Sequence, residues 1–235
     1  MQNVFKRYEE KYLITQQQSA ALQKVLALYM MPDQYGEYVV QNIYYDTDNW
    51  DVIRASIERP VYKEKMRLRC YNRQEATPFD IFLELKKKFK GIVYKRRMLL
   101  MEEPSGKKVR EIVAAQKNQI SSEIDFYLRQ NPVWERVHIS YRRKALAGIK
   151  EPHLRITFDT DMYYRLDRLN FSSPLDGRVI LPLGEVVMEI KTPMGIPLWL
   201  ARALSENHIY PRSFSKYGVC FTSHICCKEL MKGSA

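Results

Sequence analysis

RYEEKYLI at residues 7–14, FLELKKKF at residues 82–89 and VVMEIKTP at residues 186–193 each place a glutamate two residues before a lysine. The three pairs are Glu9 and Lys11, Glu84 and Lys86, and Glu189 and Lys191. Because residues i and i+2 of a β-strand face the same side, each segment directs its two charges to one surface. The opposite surface is mostly apolar, as at Leu83 and Leu85. The pattern predicts strands that bury one face and present mixed charge on the other.

Arginines continue this charged face onto other predicted strands, at Arg67, Arg69, Arg143 and Arg155. For any single strand, the simplest interpretation is a face that is exposed to water. Guanidinium groups, however, bind phosphate oxygens through two parallel hydrogen bonds, and a merely solvated face does not need them. The recurrence of arginine therefore favours a surface that binds phosphate.

Bases outnumber acids on this face if the strands share one closed sheet. The bases are Lys11, Arg67, Arg69, Lys86, Lys88, Lys95, Arg143, Arg155, Lys191 and Lys216, and the acids are Glu9, Glu84 and Glu189. Such an excess of positive charge repels itself at low dielectric constant, and a bound chain of phosphates relieves that repulsion. The pattern therefore predicts a wide, hydrated barrel whose lumen binds a polyanion.

The three glutamates on this face have two interpretations, and both stay open. Carboxylate oxygens are ligands that Mg²⁺ and Mn²⁺ prefer, and these ions also bind phosphate oxygens. Alternatively, each glutamate forms a local ion pair with the lysine two residues later.

The composition is consistent with a globular protein that binds anions. Of the 235 residues, 46% are hydrophobic, and 38 Lys and Arg against 27 Asp and Glu give a net charge of +11. A surplus of this size favours polyanionic partners. No apolar run approaches the roughly 18 residues that a membrane span needs. Cys70, Cys220, Cys226 and Cys227 lack the spacing of a secreted disulfide framework, so we expect a reduced, cytoplasmic protein.

The hydrophobic pattern predicts an α+β fold with a dominant antiparallel sheet. Eight strands are predicted, at residues 4–14, 38–46, 62–72, 79–89, 91–101, 134–146, 153–165 and 184–192. Helices are predicted at residues 16–28, at 105–130 with a break near 117–121, at 197–207 and after a loop at 211–218. Gly91 lies in the connection that predicts a hairpin between the fourth and fifth strands.

Nine short motifs occur in an order that resembles a known family. They are RYEEKY at 7–12, IYYDT at 43–47, RLRCY at 67–71, LELKKK at 83–88, YKRR at 94–97, SYRRKAL at 140–146, LRITFDT at 154–160, MEIKTP at 188–193 and SFSKYG at 213–218. Over about residues 5–220 the chain resembles the VTC (vacuolar transporter chaperone) polyphosphate polymerase domain. That family is part of the CYTH, or triphosphate tunnel metalloenzyme, superfamily. Each motif alone is weak, and the ordered set carries the resemblance.

The resemblance implies a single domain over residues 1–235 that forms an eight-stranded antiparallel β tunnel with peripheral helices. It also implies a metal-dependent phosphotransferase that uses ATP as phosphate donor and threads polyphosphate through the lumen. Family association further implies a membrane partner at the cytoplasmic face of a bilayer. Ser213 departs from the family pattern, which has a lysine there, and this leaves phosphate binding at that end of the tunnel open.

By position, the resemblance implies specific roles for the charged residues. Catalytic residues would be Arg67, Arg69, Lys86, Arg143 and Lys191. The phosphate path would also include Lys11, Lys88, Lys95, Tyr141, Arg155, Ser215 and Lys216. The metal, Mn²⁺ or Mg²⁺, would be bound by Glu189 with help from Glu9 and Glu84.

Two alternative functions remain. A hydrolase of triphosphate or an organic triphosphate would activate water and would retain a complete Glu-x-Glu-x-Lys set, whereas the first position here is Arg7. A nucleic-acid-binding protein without catalysis is compatible with the charge and with 16 tyrosines, since bases stack on aromatic rings above basic grooves. The acids on the charged face argue against nucleic acid.

Overall fold

The computed structural model describes residues 8–72, 80–90, 92–104, 108–193 and 195–226. Nine strands lie in these ranges: β1 Tyr8–Thr15, β2 Met30–Asp46, β3 Tyr62–Asn72, β4 Ile81–Phe89, β5 Ile92–Leu100, β6 Trp134–Gly148, β7 Arg155–Arg165, β8 Arg178–Val179 and β9 Glu185–Thr192. Six α-helices accompany them: α1 Gln16–Leu26, α2 Asp51–Ile57, α3 Lys108–Ala115, α4 Gln119–Gln130, α5 Leu198–Glu206 and α6 Lys216–Cys220. A π-helical turn, Phe221–Ile225, follows α6.

All nine strands belong to one antiparallel sheet. Its order is β1-β9-β7-β6-β2-β3-β4-β5, and the two-residue strand β8 pairs with β7. This confirms the predicted α+β fold with an antiparallel sheet. Closure of the barrel by hydrogen bonds is not seen, because no pairing joins β1 to β5 within the described ranges.

The sheet nevertheless rolls up until its distant strands meet through side chains. Glu9 of β1 and Lys86 of β4 form an ion pair at 3.8 Å, although six strand-to-strand steps separate their strands in the sheet order. Strands lie about 4.8 Å apart, so a flat sheet would hold these residues about 29 Å apart. Arg155 of β7 and the Tyr38 hydroxyl of β2 also meet, at 3.5 Å. The sheet therefore encloses an inner face, which we call the lumen.

Apolar side chains on the outer face pack under the helices. From β3 and β4, Met66, Leu83 and Leu85 pack in one buried cluster with residues of α3 and α4 such as Val113 and Ile124. At the other end of the strand order, a second cluster on the same outer face packs β1, β7 and β9 against α1 and α5. These clusters occupy the outer side of the strands and leave the alternating charged residues to the lumen.

Helix boundaries follow local capping signals. Thr15 caps α1 by accepting a hydrogen bond from the Gln18 amide, and the Gln18 side chain accepts one from the Thr15 amide in return. Asn118 caps α4 in the same way with Ser121. The predicted break near 117–121 is confirmed, because it lies at this cap.

Three local predictions need correction. β2 begins at Met30 rather than near residue 38, and its pairing with β6 is interrupted between Pro32 and Glu37. Helix α2 was not predicted; the carboxylate of Asp46 accepts hydrogen bonds from its first-turn amides. Residues 216–218 of the predicted loop instead begin α6, and Ser215 caps that helix.

Some predictions fall on residues outside the described ranges, namely the start of the first strand at residues 4–7, the turn at Gly91 and the chain beyond residue 226. Within the described part of the chain, no helix has both the length and the hydropathy that crossing a bilayer requires.

Candidate functional site

The lumen is lined by alternating residues of the eight long strands and by the start of α6. Cross-strand register places Glu9 opposite Lys191, Lys11 opposite Glu189, and Arg155 opposite Lys191. On the other half of the sheet, Lys65 lies opposite Lys86, which in turn lies opposite Lys95. Register partners share a face, so the predicted bases from both halves converge on the lumen.

Glu84 is the centre of one charged cluster. Both nitrogens of the Arg67 fork donate to its Oε2, at 2.9 and 2.7 Å, and Arg97 donates to its Oε1 at 2.8 and 2.6 Å. Lys95 lies 2.6 Å from Oε1, and Arg69 lies 3.8 Å from Oε2. Burial acts to raise the pKa of Glu84, but these four cations hold it well below its usual value. The carboxylate is thus ionised and surrounded by positive charge.

Asp159 is the centre of a second cluster, between β6 and α6. Arg143 donates from Nε to Oδ1 at 2.6 Å and from Nη2 to Oδ2 at 2.7 Å. Lys216 donates to the same Oδ2. Burial would raise the pKa of Asp159, but these two cations lower it on balance. Asp159 therefore fixes the positions of Arg143 and Lys216 in the lumen.

Tyr141 lies between the two clusters. Its hydroxyl accepts a hydrogen bond from Arg69 at 3.1 Å, and the Lys216 ammonium lies 4.3 Å from its ring centre. Burial raises the pKa of Tyr141, whereas Arg69, Arg143 and Lys216 lower it, and the net result is a pKa of about 8. The hydroxyl is therefore a strong hydrogen-bond donor to an anion at neutral pH.

Glu9 and Glu189 form an acidic pair on adjacent strands. Register places them diagonally opposite each other, because Glu9 faces Lys191 and Glu189 faces Lys11. Lys191 lies 3.4 Å from Glu189, and Lys11 lies 3.9 Å from Glu9. Burial acts to raise the pKa of Glu189, but Lys191 and other nearby cations hold it well below its usual value.

The predicted acids therefore separate into two places. Glu9 and Glu189 are diagonal neighbours on β1 and β9, whereas Glu84 makes its ion pairs with Arg67, Arg69, Lys95 and Arg97. Among the described residues, no three histidine, cysteine, aspartate or glutamate side chains come together as a metal-binding group. The diagonal pair of Glu9 and Glu189 is the densest set of hard oxygen ligands that these three glutamates provide.

Three other predicted residues lie further from these clusters. The Arg155 guanidinium pairs with Asp33 at 2.6 Å at one end of the lumen. Lys88 is exposed on the lumen side of β4. The Ser215 hydroxyl accepts a hydrogen bond from the Gly218 amide as the cap of α6. The O–H of Ser215 can still donate a hydrogen bond to a phosphate oxygen while its oxygen accepts from Gly218.

Sequence reasoning missed Arg97 and Asp159 as site residues. Arg97 lies two residues after Lys95 in YKRR, so the i, i+2 rule places it on the lumen face. Asp159 follows Arg155 and Thr157 at the same spacing in LRITFDT. The strand alternation was thus a sufficient signal for both positions.

A model of the VTC domain matches residues 6–225 of the chain. The chain belongs to the VTC domain family. This VTC domain thus has a lumen in which basic residues from both halves of the sheet converge, as the family resemblance implied. Among curated proteins, no sequence matches it.

Solved structures resemble the VTC domain in fold. A candidate adenylate cyclase from Bacillus halodurans is 12% identical, with a TM-score of 0.53 over 91% of this chain and 95% of that chain. A candidate adenylate cyclase from Vibrio parahaemolyticus is also 12% identical, with a TM-score of 0.48 over 93% and 98%. The Bacillus likeness shows a shared fold.

Proposed function

We propose that this VTC domain transfers the γ-phosphoryl group of ATP to the end of a polyphosphate chain. The observation that carries the proposal is the 3.8 Å contact between Glu9 and Lys86. That contact places the charged faces of β1 and β4 across an enclosed lumen. A polyanion threaded there would meet cations from both halves of the sheet at once.

The reaction breaks the bond between the β–γ bridging oxygen and the γ-phosphorus, and ADP leaves with that oxygen. A new bond forms from the terminal oxygen of the polymer to the γ-phosphorus. Charge spreads over the phosphoryl oxygens in a loose transition state, so positioning and electrostatics supply most of the catalysis. The attacking oxygen is already anionic, so the chemistry requires no strong general base.

The fixed guanidinium groups match this requirement. Arg67 and Arg143 are each held by a carboxylate through two hydrogen bonds, at Glu84 and Asp159. Such preorganised cations stabilise developing charge without reorganising during the reaction. Lys86 and Lys191 extend the positive surface along the same lumen. We assign these bases, together with Arg69, to binding the donor and acceptor phosphates.

Glu9 and Glu189 are the residues that would bind Mn²⁺ or Mg²⁺. The fit rests on two carboxyl groups that lie diagonally opposite each other on β1 and β9 and supply hard oxygen ligands to one region of the basic lumen. When bound, the ion would neutralise charge on phosphate oxygens. Lys11 and Lys191 beside the pair would orient the same phosphates.

Product analysis tests the proposal directly. The protein is incubated with ATP and Mn²⁺, and the products are resolved on a gel that separates long polymer from inorganic phosphate. We expect ATP-dependent polymer and ADP. Release of inorganic phosphate without polymer would instead identify a triphosphate hydrolase. Salt-sensitive RNA binding with no ATP turnover would point to the nucleic-acid alternative.

Variants locate the activity in the lumen. Arg67→Ala and Lys191→Ala are each expected to lower polymer synthesis by about 10²-fold or more, the scale for losing one preorganised charge. Arg129→Ala is the control, because Arg129 is exposed on α4 outside the lumen, with 72% of its side chain accessible. Near-normal synthesis in both lumen variants contradicts the assignment.

A further inference from the structure

One end of the lumen is bordered by aromatic rings. Tyr35 and Tyr38 of β2, Tyr71 of β3 and Phe82 of β4 form a continuous row, which we call the aromatic rim. Successive ring centres are 6.3, 5.9 and 6.1 Å apart, and each contact is edge to face. Tyr35 at the end of the row is 38% exposed. Tyr38 is only 8% exposed, so the accessible π surface of the rim lies at Tyr35 and, in part, at Tyr71 and Phe82.

The other end of the lumen has a different character. Lys63, Lys65, Lys86 and Lys88 follow one another there along β3 and β4, opposite each other in register. Tyr44 and Tyr217 also lie toward that end, but they stack on each other at 4.7 Å and are buried. The two ends thus differ chemically: aromatic rings border one, and lysines line the other.

The rim adjoins the charged cluster around Glu84 through shared arginines. The Arg97 guanidinium lies 4.2 Å from the centre of the Phe82 ring and 5.7 Å from that of Tyr71. Arg69 lies 5.0 Å from the centre of the Tyr71 ring. A ligand with a flat π system joined to phosphates would therefore meet a surface made of rings and of the guanidinium groups that lie over them.

We propose that the aromatic rim binds the nucleobase of the donor nucleotide, with the phosphates directed along β4 toward Lys86. The inference rests on the proposed function, because it assigns a position to the nucleoside part of that donor. From Phe82 to Lys86 the strand advances about 13 Å, which leaves room for several phosphate groups. The polymer then occupies the lysine-lined end.

We expect the rim to stack on the face of the base and to form few hydrogen bonds with its edge. The Asp33 carboxylate beside Tyr35 already accepts hydrogen bonds from the Tyr35 and Gly36 amides and from Arg155. The Tyr71 hydroxyl accepts one from Arg97. Stacking tolerates any base, since every base has a π face. ATP and GTP should therefore bind with dissociation constants within a few-fold of each other.

Calorimetric binding in the presence of Mn²⁺ tests the rim, with ATP, GTP and inorganic triphosphate as ligands. Tyr35→Ala and Tyr71→Leu are expected to weaken binding of both nucleotides by about 5- to 30-fold, the scale for losing one base–aromatic stack. Binding of inorganic triphosphate, which has no base, should change less than about twofold. Tyr71→Phe removes the hydroxyl that accepts from Arg97 but keeps the ring, so the loss in Tyr71→Leu beyond that in Tyr71→Phe measures the stack.

Tyr62→Ala is the matched control. Tyr62 lies on the same strand as Tyr71 but on its outer face, against Phe89 at 6.4 Å. It should leave all three dissociation constants unchanged. Retained triphosphate binding by each rim variant also shows that the variant is folded.

The outcomes separate this inference from the proposed function. Equal weakening of triphosphate and nucleotide binding, or unchanged nucleotide binding in Tyr35→Ala and Tyr71→Leu, overturns the rim assignment. If the unaltered protein makes no polymer but the rim variants lose nucleotide binding selectively, the base site stands and the polymerase proposal fails. If both rim variants make polymer with an unchanged KM for ATP, the polymerase proposal stands and the base site fails.

Discussion

Neutralising Glu84 is the most informative single perturbation of this protein. The side chain is 1% exposed, and both of its oxygens are occupied by cations. Glu84→Gln keeps the shape of the residue and removes its charge. Four cations then face one another without the anion that holds them together. The fold should lose stability, and the lumen should gain affinity for external anions.

The magnitude follows from the geometry of the cluster. At an effective dielectric constant of about 20, the 2.7 Å contact with Arg67 corresponds to roughly 6 kcal/mol of attraction before desolvation is subtracted. Removing one partner of a buried ion pair typically costs about 3–5 kcal/mol. The Lys95 and Arg97 side chains are 42% and 35% exposed, so water screens part of the repulsion. We therefore expect Glu84→Gln to lower the free energy of unfolding by about 3 kcal/mol, the lower end of that range.

Urea unfolding with and without inorganic triphosphate measures both effects. Glu123→Gln is the matched control, because Glu123 also pairs with two cations, Lys87 and Arg96, but lies on α4 outside the lumen, with 24% of its side chain exposed. That control should lose at most about 1 kcal/mol. Triphosphate should stabilise Glu84→Gln more than the unaltered protein, since ligand stabilisation rises as the dissociation constant falls. Equal stability of the two variants, or equal stabilisation by triphosphate, refutes the reasoning.

Three further predictions test the lumen. Arg97→Ala should lower polymer synthesis by about 10²-fold, whereas Arg96→Ala, one residue away on the outer face, should retain activity apart from a modest loss of stability. Glu9→Gln should raise the Mn²⁺ concentration for half-maximal activity by about 10-fold or more, and Glu10→Gln, on the opposite face of β1, should not. Burial and neighbouring lysines lower the pKa of Lys65 to about 7. Triphosphate binding should therefore weaken in calorimetry as pH rises above 7, and Lys65→Gln should remove that part of the pH dependence.

Strand alternation was enough to predict which residues face the lumen. In β4 the charged set Glu84, Lys86 and Lys88 lies on one side, and Leu83 and Leu85 are fully buried on the other. The period of two fixes this assignment once the strand is recognised. Contacts between distant strands could not be predicted in the same way. The pair of Glu9 with Lys86 depends on how far the sheet rolls, and local sequence carries no information on that.

Helix α2 shows a second limit of local signals. Its N-cap residue, Trp50, has a positive φ of 62° and makes no side-chain cap hydrogen bond. The capping oxygen instead comes from Asp46, at the end of β2, which also accepts a hydrogen bond from Tyr217 at 2.6 Å. A cap supplied from five residues before the helix, and stabilised by a distant tyrosine, lies outside the usual N-terminal pattern.

The three Glu-x-Lys segments are alike in sequence, and register gives them different environments. On β4, Glu84 lies directly opposite Arg67 of β3 and Arg97 of β5, so two guanidinium groups reach its carboxylate from both sides. On β9, Glu189 lies opposite Lys11 and Thr157. No arginine occupies either of those two positions, and Lys191 lies 3.4 Å from the Glu189 carboxylate instead.

This difference indicates that the three glutamates have different roles. A carboxylate whose two oxygens already bind arginine forks has little remaining capacity for a cation, so Glu84 serves to orient Arg67 and Arg97. Glu9 and Glu189 have lysines at 3.9 and 3.4 Å instead of bound arginine forks, so their oxygens retain more capacity for a divalent ion. If so, Glu84→Gln should leave the Mn²⁺ dependence of polymer synthesis unchanged while lowering its rate. A shift in that dependence as large as the shift in Glu9→Gln would place Glu84 at the metal after all.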